Sequence, residues 1–424
     1  MIKVLLKAPL LTQSGYGHHG RTILRALRTK QDIYDIYIQA INWGQTSWVV
    51  GIDEEREWID KTLQKTVTHI SNGGVFDVSL QVTIPNEWEK LAPVNIGFTA
   101  GIETTLVSPV WIEKGNLMDK IITISEHSKW SYEHTKYNAT DRETDKQFEY
   151  KCTTPIEYVG YPVRQFEPKK IDLDLKTEFN FLSVSQISPR KNMEQLIRCF
   201  VDQFRDDKQV GLVVKTNIAK NSLIDRVNTI AKMRAFINNL GEKKCKVYLL
   251  HGRMTEEEMS GLYNHPKIKA LVSATHGEGY GLPLFEAAYY GLPVAATDWS
   301  GHVDFLYKPT TQKNKTKKKH MFSRISYTMQ PVKEEAVWDG VIQKESMWAV
   351  PEEGSIKMCL EELYKDHGRF EKRAKTLQKW IVKEYSLENI NNKILSLLED
   401  KMPVTTNEID DLFKELVQEE PQRT

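Results

Sequence analysis

Residues 276–298, HGEGYGLPLFEAAYYGLPVAATD, constrain the fold more than any other stretch of this chain. An apolar run at 270–274 leads into a glycine-rich loop, then a short helical pattern, then a second apolar run at 294–297. That order predicts a strand–loop–helix–strand unit of a parallel sheet. Pro283 suits the first helical position and Gly291 suits the stop. Gly279 and Gly281 let backbone approach a ligand closely, and the helix start offers unpaired N–H groups at a positive dipole end. Two carboxylates, Glu278 and Glu286, stand across the loop and helix start. The combination suits a diphosphate with sugars on either side.

The same alternation of apolar runs and helical patterns recurs in two series. Residues 2–6, 36–42, 94–98 and 121–124 read as strands of the first, with a helical stretch at 21–28. The second comprises strands at 179–184, 211–215, 247–250, 270–274, 294–297 and 347–350, with helices at 193–204 and 256–263. This predicts an α/β fold with parallel sheets. A chain of 424 residues exceeds one ordinary core, so two domains are expected. The turn-rich, charged segment 156–170 supplies the boundary, giving domains at 1–165 and 166–395 and an acidic tail at 396–424. Within the tail, 409–417 is amphipathic. Residues 308–324 form a strongly basic loop.

Bulk properties narrow the classes. A formal net charge of +1 argues against a dedicated nucleic-acid coat, although a local basic patch remains compatible with it. The four cysteines lack metal-ligand spacing, which points to a reduced, cytoplasmic protein. The opening MIKVLLKAPLL is too short for a signal segment, and no run of 18 apolar residues occurs. The expectation is a protein working in water or peripherally at a membrane surface.

From Glu278 to Glu286 the sequence EGYGLPLFE resembles the family 4 glycosyltransferases, which carry an E-x7-E motif in an EGFGLP-like context. Three further segments match in order: SGYGHHGRTILRAL at 14–27, SVSQISPRKNMEQLI at 183–197 and HGRMTEEEMSGLY at 251–263. The resemblance spans residues 1 to about 395. It implies a GT-B fold, two Rossmann-like domains facing across a cleft, with the last helices able to pack back on the N-terminal domain. It also implies transfer of a hexose-type sugar from a nucleotide-diphosphate sugar to an acceptor hydroxyl with retained anomeric configuration. No cofactor beyond that co-substrate and no obligate protein partner follow from it. Acceptors left open are a glycan, a lipid-linked sugar, protein and modified DNA.

The resemblance assigns Glu286 to the ribose hydroxyls, an apt task for a two-oxygen acceptor. Helix capping in the first turn would also favour a carboxylate there. Glu278, in a loop pattern too exposed for a core residue, is assigned to hydroxyls of the transferred sugar. The N–H groups of Gly279, Tyr280, Gly281 and Leu282 would hold sugar and phosphate oxygens. Lys191 matches the cation that neutralises the departing diphosphate. The family's arginine five residues earlier is Gln186 here, so Arg190 is the candidate second charge. Glu103, following a strand, could project into the cleft as a catalytic carboxylate, and His127 and Lys129 could reach acceptor or sugar. Gly15 and Gly17 would approach the donor phosphates.

Gly15, Gly17 and Gly20 also satisfy G-x-G-x-x-G, the basis of an NAD-dependent oxidoreductase alternative. The preceding strand ends about half a dozen residues too early for that fingerprint. A binding protein that has lost catalysis is the other alternative. The D-L-D of Asp172–Asp174 lies in a charged linker, and metal-independent transfer is expected. The lysines 313, 315, 317, 318 and 319 lack interleaved aromatics, which suits a solvated loop, with phosphate contacts to a polyanion as the alternative.

Overall fold

The computed structural model describes residues 1–403 apart from 45, 50, 52, 142, 313 and 314. The amphipathic segment 409–417 lies outside the described residues. Two six-stranded parallel sheets organise the chain. The N-terminal sheet runs in the order Tyr34–Ala40, Ile2–Ala8, Val78–Val82, Val94–Thr99, Lys120–Thr123, Ile156–Tyr158. The C-terminal sheet runs Lys246–Leu250, Val210–Lys215, Phe179–Val184, Ile268–Ser273, Val294–Thr297, Ser323–Ile325. In each, every strand pairing is parallel. Central strands such as VGLVVK are buried almost throughout, as sheets covered on both faces require.

The two orders each reverse once. In the C-terminal sheet the reversal falls between Phe179–Val184 and Ile268–Ser273, and in the N-terminal sheet between Ile2–Ala8 and Val78–Val82. Ligands of open parallel sheets bind at the carboxyl ends of strands at such reversals. The loops that leave Val184 and Ser273 carry Arg190, Lys191 and Glu278. The last helix, Leu387–Glu399, packs Ile390, Ile394, Leu395 and Leu398 against Leu24, Leu27 and the N-terminal sheet. Its end is held by contact of Asp400 with Lys120.

Several sequence expectations change. The strand Val78–Val82, the helix Glu54–Ser71 and the edge strand Ile156–Tyr158 were not anticipated. The glycine-rich 14–20 segment is no loop: Ser14 caps the helix Gly15–Arg28, its hydroxyl accepting from Gly17 N at 2.9 Å. Met347–Pro351 lies outside the parallel sheet and pairs antiparallel with Tyr327–Pro331. The basic "loop" is a hairpin, Tyr307–Gln312 against Lys315–His320. Cross-strand register puts Lys308, Lys315, Lys317 and Lys319 on one face and Tyr307, Lys318 and His320 on the other. Asp172–Asp174 has no regular structure, and Asp174 contacts Lys176.

Candidate active site

Asn192 adopts a left-handed conformation (φ 53°) between the 3-10 turn Pro189–Lys191 and the helix Met193–Phe204. The turn directs Arg190 and Lys191 at the opposite loop. Lys191 Nζ reaches both oxygens of Glu278, at 2.5 and 2.7 Å. Arg190 bridges two carboxylates, with Nη1 at 3.2 Å from Glu278 and Nη2 at 3.2 Å from Glu103. Its Nη1 also donates to the Gly277 carbonyl at 2.6 Å. Glu103, Arg190, Lys191 and Glu278 thus form one charge cluster contributed by three loops.

Glu278 is buried, at 7% exposure, contrary to the exposed loop position its pattern suggested. Polar periodicity cannot reveal an ion pair formed across 87 residues of sequence. Burial disfavours its charge, but Lys191 and then Arg190 override that and hold the carboxyl at about 2. Burial pulls Lys191 below the usual lysine range despite Glu278. The loop is braced from behind by Ser300, whose Oγ accepts from Glu278 N at 2.8 Å. Gly301 N donates to the Glu278 carbonyl at 2.9 Å. Ser300 holds φ 83°, strain concentrated at this support. Ser300 escaped the sequence reading, its only signal being the family-like WSGH string around it.

Glu286 lies in the second turn of the helix Leu282–Tyr289, whose cap is Gly281 at φ 86°, so first-turn capping does not explain it. Tyr263 OH donates to its Oε2 at 2.7 Å. Burial raises the carboxyl to about 7, with Tyr263 opposing. Leu282 and Pro283, one turn ahead, line a cavity of about 720 Å³. Its wall carries seven cationic side chains, Arg21, Arg25, Arg56, Arg164, Lys191, Lys215 and Arg253, against four carboxylates, Asp53, Glu55, Glu256 and Glu257, together with Gly15 and Gln186. Arg21 lies within the family-like segment 14–27 but is not singled out there, and no motif carries Arg164 or Lys215.

The other expected residues divide. Gly15 lines the cavity, with open space where a Cβ would stand. Gly17 is buried, and a Cβ there would overlap the Thr12 carbonyl oxygen. A Cβ on Gly20 would stand 2.8 Å from Ala8 Cβ. Close packing of this helix on the segment before it requires glycine at both positions. Gly279 presses on the Ala100 carbonyl, and a Cβ there would stand 2.6 Å from its oxygen. Among the described residues the N–H groups of Gly279, Tyr280 and Gly281 have no acceptor. The Tyr280 ring is buried against Tyr161, Phe285 and Phe305. Lys129 turns away to Glu157 (3.1 Å) and Glu133 (3.8 Å), outside the charge cluster. His127 packs edge-on to Trp299, its buried Nε2 unpartnered, and burial followed by His302 lowers it to about 4. It is a neutral ring beside the site.

A second cavity of about 700 Å³ adjoins the first, sharing Gln13, Ser14, Gly15, Gln186, Asn217 and Asn221 with it. Glu103 and Arg190 stand in its wall. Among the described residues no group of three or more His, Cys, Asp or Glu is placed to hold a metal ion. No helix among them is long and apolar enough to cross a membrane.

Comparison with known proteins follows this geometry. A serotype-specific mannosyltransferase, WbdA of Escherichia coli, is 29% identical over 121 residues, 28% of this chain. The chain thus spans about an eighth of that relative's length, the matched share being 13%. Sucrose-phosphate synthase from Thermosynechococcus elongatus superposes with a TM-score of 0.60 at 13% identity, covering 94% of this chain and 99% of that one. HepE from Anabaena, solved with UDP-glucose, gives 0.56 at 13% identity over 94% of this chain and 100% of that one. The chain has the GT-B fold, and its residues 164–309, which hold Arg190, Lys191, Glu278 and Glu286, match the family model described as Glycosyl transferases group 1.

Proposed function

We propose that the protein transfers a hexose-type sugar from a nucleotide-diphosphate sugar to an acceptor hydroxyl, retaining anomeric configuration and using no metal ion. The observation that carries this reading is the Lys191–Glu278–Arg190–Glu103 cluster at the reversal point of the C-terminal sheet, opening on a cationic cavity. A diphosphate entering that cavity meets Lys191, Lys215 and Arg253. It competes with Glu278 for Lys191, and the released carboxylate then accepts hydroxyls of the donor sugar. As the glycosidic bond breaks, negative charge grows on the leaving diphosphate, and a fixed cation stabilises it. Unused N–H groups of Gly279, Tyr280 and Gly281 are donors for sugar or phosphate oxygens.

Glu286 is assigned to the ribose. Poised near neutral pH, its carboxyl group both donates to and accepts from a diol. The family resemblance assigns acceptor deprotonation to a donor phosphate oxygen on the same face of the sugar. The chain's own part is positioning and charge stabilisation.

The test is a screen of radiolabelled UDP-, GDP- and ADP-sugars for enzyme-dependent hydrolysis, with Lys191→Ala as control. Release from one donor class by wild type and its loss in the variant is expected. Stabilisation by NADH and by none of the nucleotides would overturn the reading. A second reading, binding without turnover, is favoured by Gln186, whose Nε2 is engaged by the Ile218 carbonyl at 2.7 Å and supplies no charge. Nucleotide-sugar binding without hydrolysis or transfer identifies it.

A further inference from the structure

The two adjoining cavities differ in chemistry. In the first, seven cationic side chains outnumber four carboxylates. In the second, the charged groups of the wall are Glu103, Arg190 and Glu335, and Arg190 already pairs with Glu103 and Glu278. Among the described residues no lysine lines it. The remaining wall combines aromatic rings, Tyr16, Trp43, Trp111 and Trp338, with amides such as Gln13 and Asn221.

Two of these rings are held in place while keeping solvent-facing area. The Trp43 ring leans on Tyr16, centroids 4.3 Å apart, and Tyr16 OH is fixed to Thr99 at 2.8 Å. Trp338 is 58% exposed, an unfavourable position for an indole unless something covers it. It rides on the segment 332–346 from the C-terminal half, which is fastened to the N-terminal half. Asn86 Nδ2 donates to the Gly340 carbonyl at 3.1 Å, and Thr105 exchanges hydrogen bonds with Met347 at 3.0 and 2.9 Å. Trp338 and Ile342 bond each other in a tight turn. A flexible ornament would not be pinned at three points.

We propose that this second cavity is the acceptor site and that it takes a neutral saccharide, its ring faces stacked on Trp43 and Trp338. The inference rests on the sugar-transfer reading. The C–H face of a pyranose is apolar and weakly electropositive, so it packs on the negative face of an indole. Amides around the rim fix hydroxyl groups and orientation. A phosphorylated or nucleic-acid acceptor would meet Glu335 and Glu103 with no free cation to offset them. A cavity of about 700 Å³ lies within the usual range for small-ligand sites. The segment 332–346 is then the specificity element of the acceptor side.

The experiment is calorimetric titration of the full-length protein with maltotriose, mannotriose and an anionic trisaccharide of uronic acids, each with and without UDP or GDP. At least one neutral trisaccharide binds, and the anionic probe binds more weakly. Trp338→Ala weakens the neutral probe about tenfold or more, corresponding to one stacked ring. Trp338→Phe restores most of that, and nucleotide Kd stays within about twofold in both. Preference for the anionic probe, or no neutral binding at millimolar concentration, overturns the proposal. So does parallel loss of nucleotide and saccharide in Trp338→Ala and Trp338→Phe, which marks a structural role. Failure of wild type to bind any nucleotide would instead sink the donor reading, while titration without nucleotide reports on this cavity alone.

Discussion

Replacing Lys191 and Glu278 singly and together measures the coupling at the centre of the site. Holding Glu278 at about 2 against an ordinary 4.5 corresponds to about 3 kcal/mol favouring the ionised, paired state. Arg190 supplies part of that, and the burial of Lys191, which pulls its own pKa down, offsets more. Lys191 is the larger contributor and Arg190 the next, so the Lys191–Glu278 contact is worth on the order of 1–3 kcal/mol. Lys191→Met alone costs less than the roughly 3–5 kcal/mol of a fully unpaired buried charge, because Arg190 still pairs with Glu278 at 3.2 Å. In a double-mutant cycle with Glu278→Gln, read by urea unfolding followed through tryptophan fluorescence at pH 7, the coupling is on the order of 1–3 kcal/mol. The sign of the pH dependence follows from the depressed folded pKa. The contribution is complete above the unfolded carboxylate value of about 4.3 and is lost as pH falls through about 2. More than half should be gone by about pH 3. Additivity within about 0.5 kcal/mol at pH 7, or coupling that grows on acidification, would refute the account.

Glu286 carries the opposite sign. Its raised value of about 7 means folding costs free energy as pH rises from about 4.3 through 7. Glu286→Gln should therefore raise Tm at pH 8, by an increment worth about 1–3 kcal/mol, and change it little at pH 4. If donor affinity is untouched in the same variant, the ribose assignment is wrong. Gly17→Ala should lower Tm by about 1–3 kcal/mol equivalent, because its Cβ overlaps the Thr12 carbonyl oxygen. Gly15→Ala, in open space within the helix, should be neutral or stabilising by up to about 1 kcal/mol; equal melting losses in both would contradict the packing role. Glu103→Gln should reduce transfer while leaving nucleotide Kd within about threefold, since Glu103 reaches the cluster only through Arg190 and faces the second cavity.

What was legible in the sequence is local. Phe179–Val184, Val294–Thr297, Met193–Phe204 and Glu256–Tyr263 fall where their apolar periodicity puts them, because strand and helix periods are properties of neighbouring residues. The E-G-Y-G-L-P string likewise marks its strand–loop–helix turn, with Gly281 at positive φ and Gly291 ending the helix. Its resemblance to a known family added an expectation of the two-sheet fold that periodicity alone does not supply.

Tertiary structure decided everything that depends on distant partners. Glu278 reads as an exposed loop residue and is a buried ion, because Lys191 and Arg190 arrive from a different strand–helix loop. Gly17 and Gly20 meet Thr12 and Ala8 too closely for any side chain, a packing demand that the glycine spacing alone does not reveal. Lys308, Lys315 and Lys317 to Lys319 read as part of a loop and lie in a hairpin, since register between two polar strands leaves no hydrophobic pattern to detect; Lys313 lies outside the described residues. The cationic and aromatic cavities are assembled from residues scattered from Gln13 to Ile342, and no spacing rule connects them. Sequence periodicity records what each segment buries; which charge faces which is settled only when the segments meet.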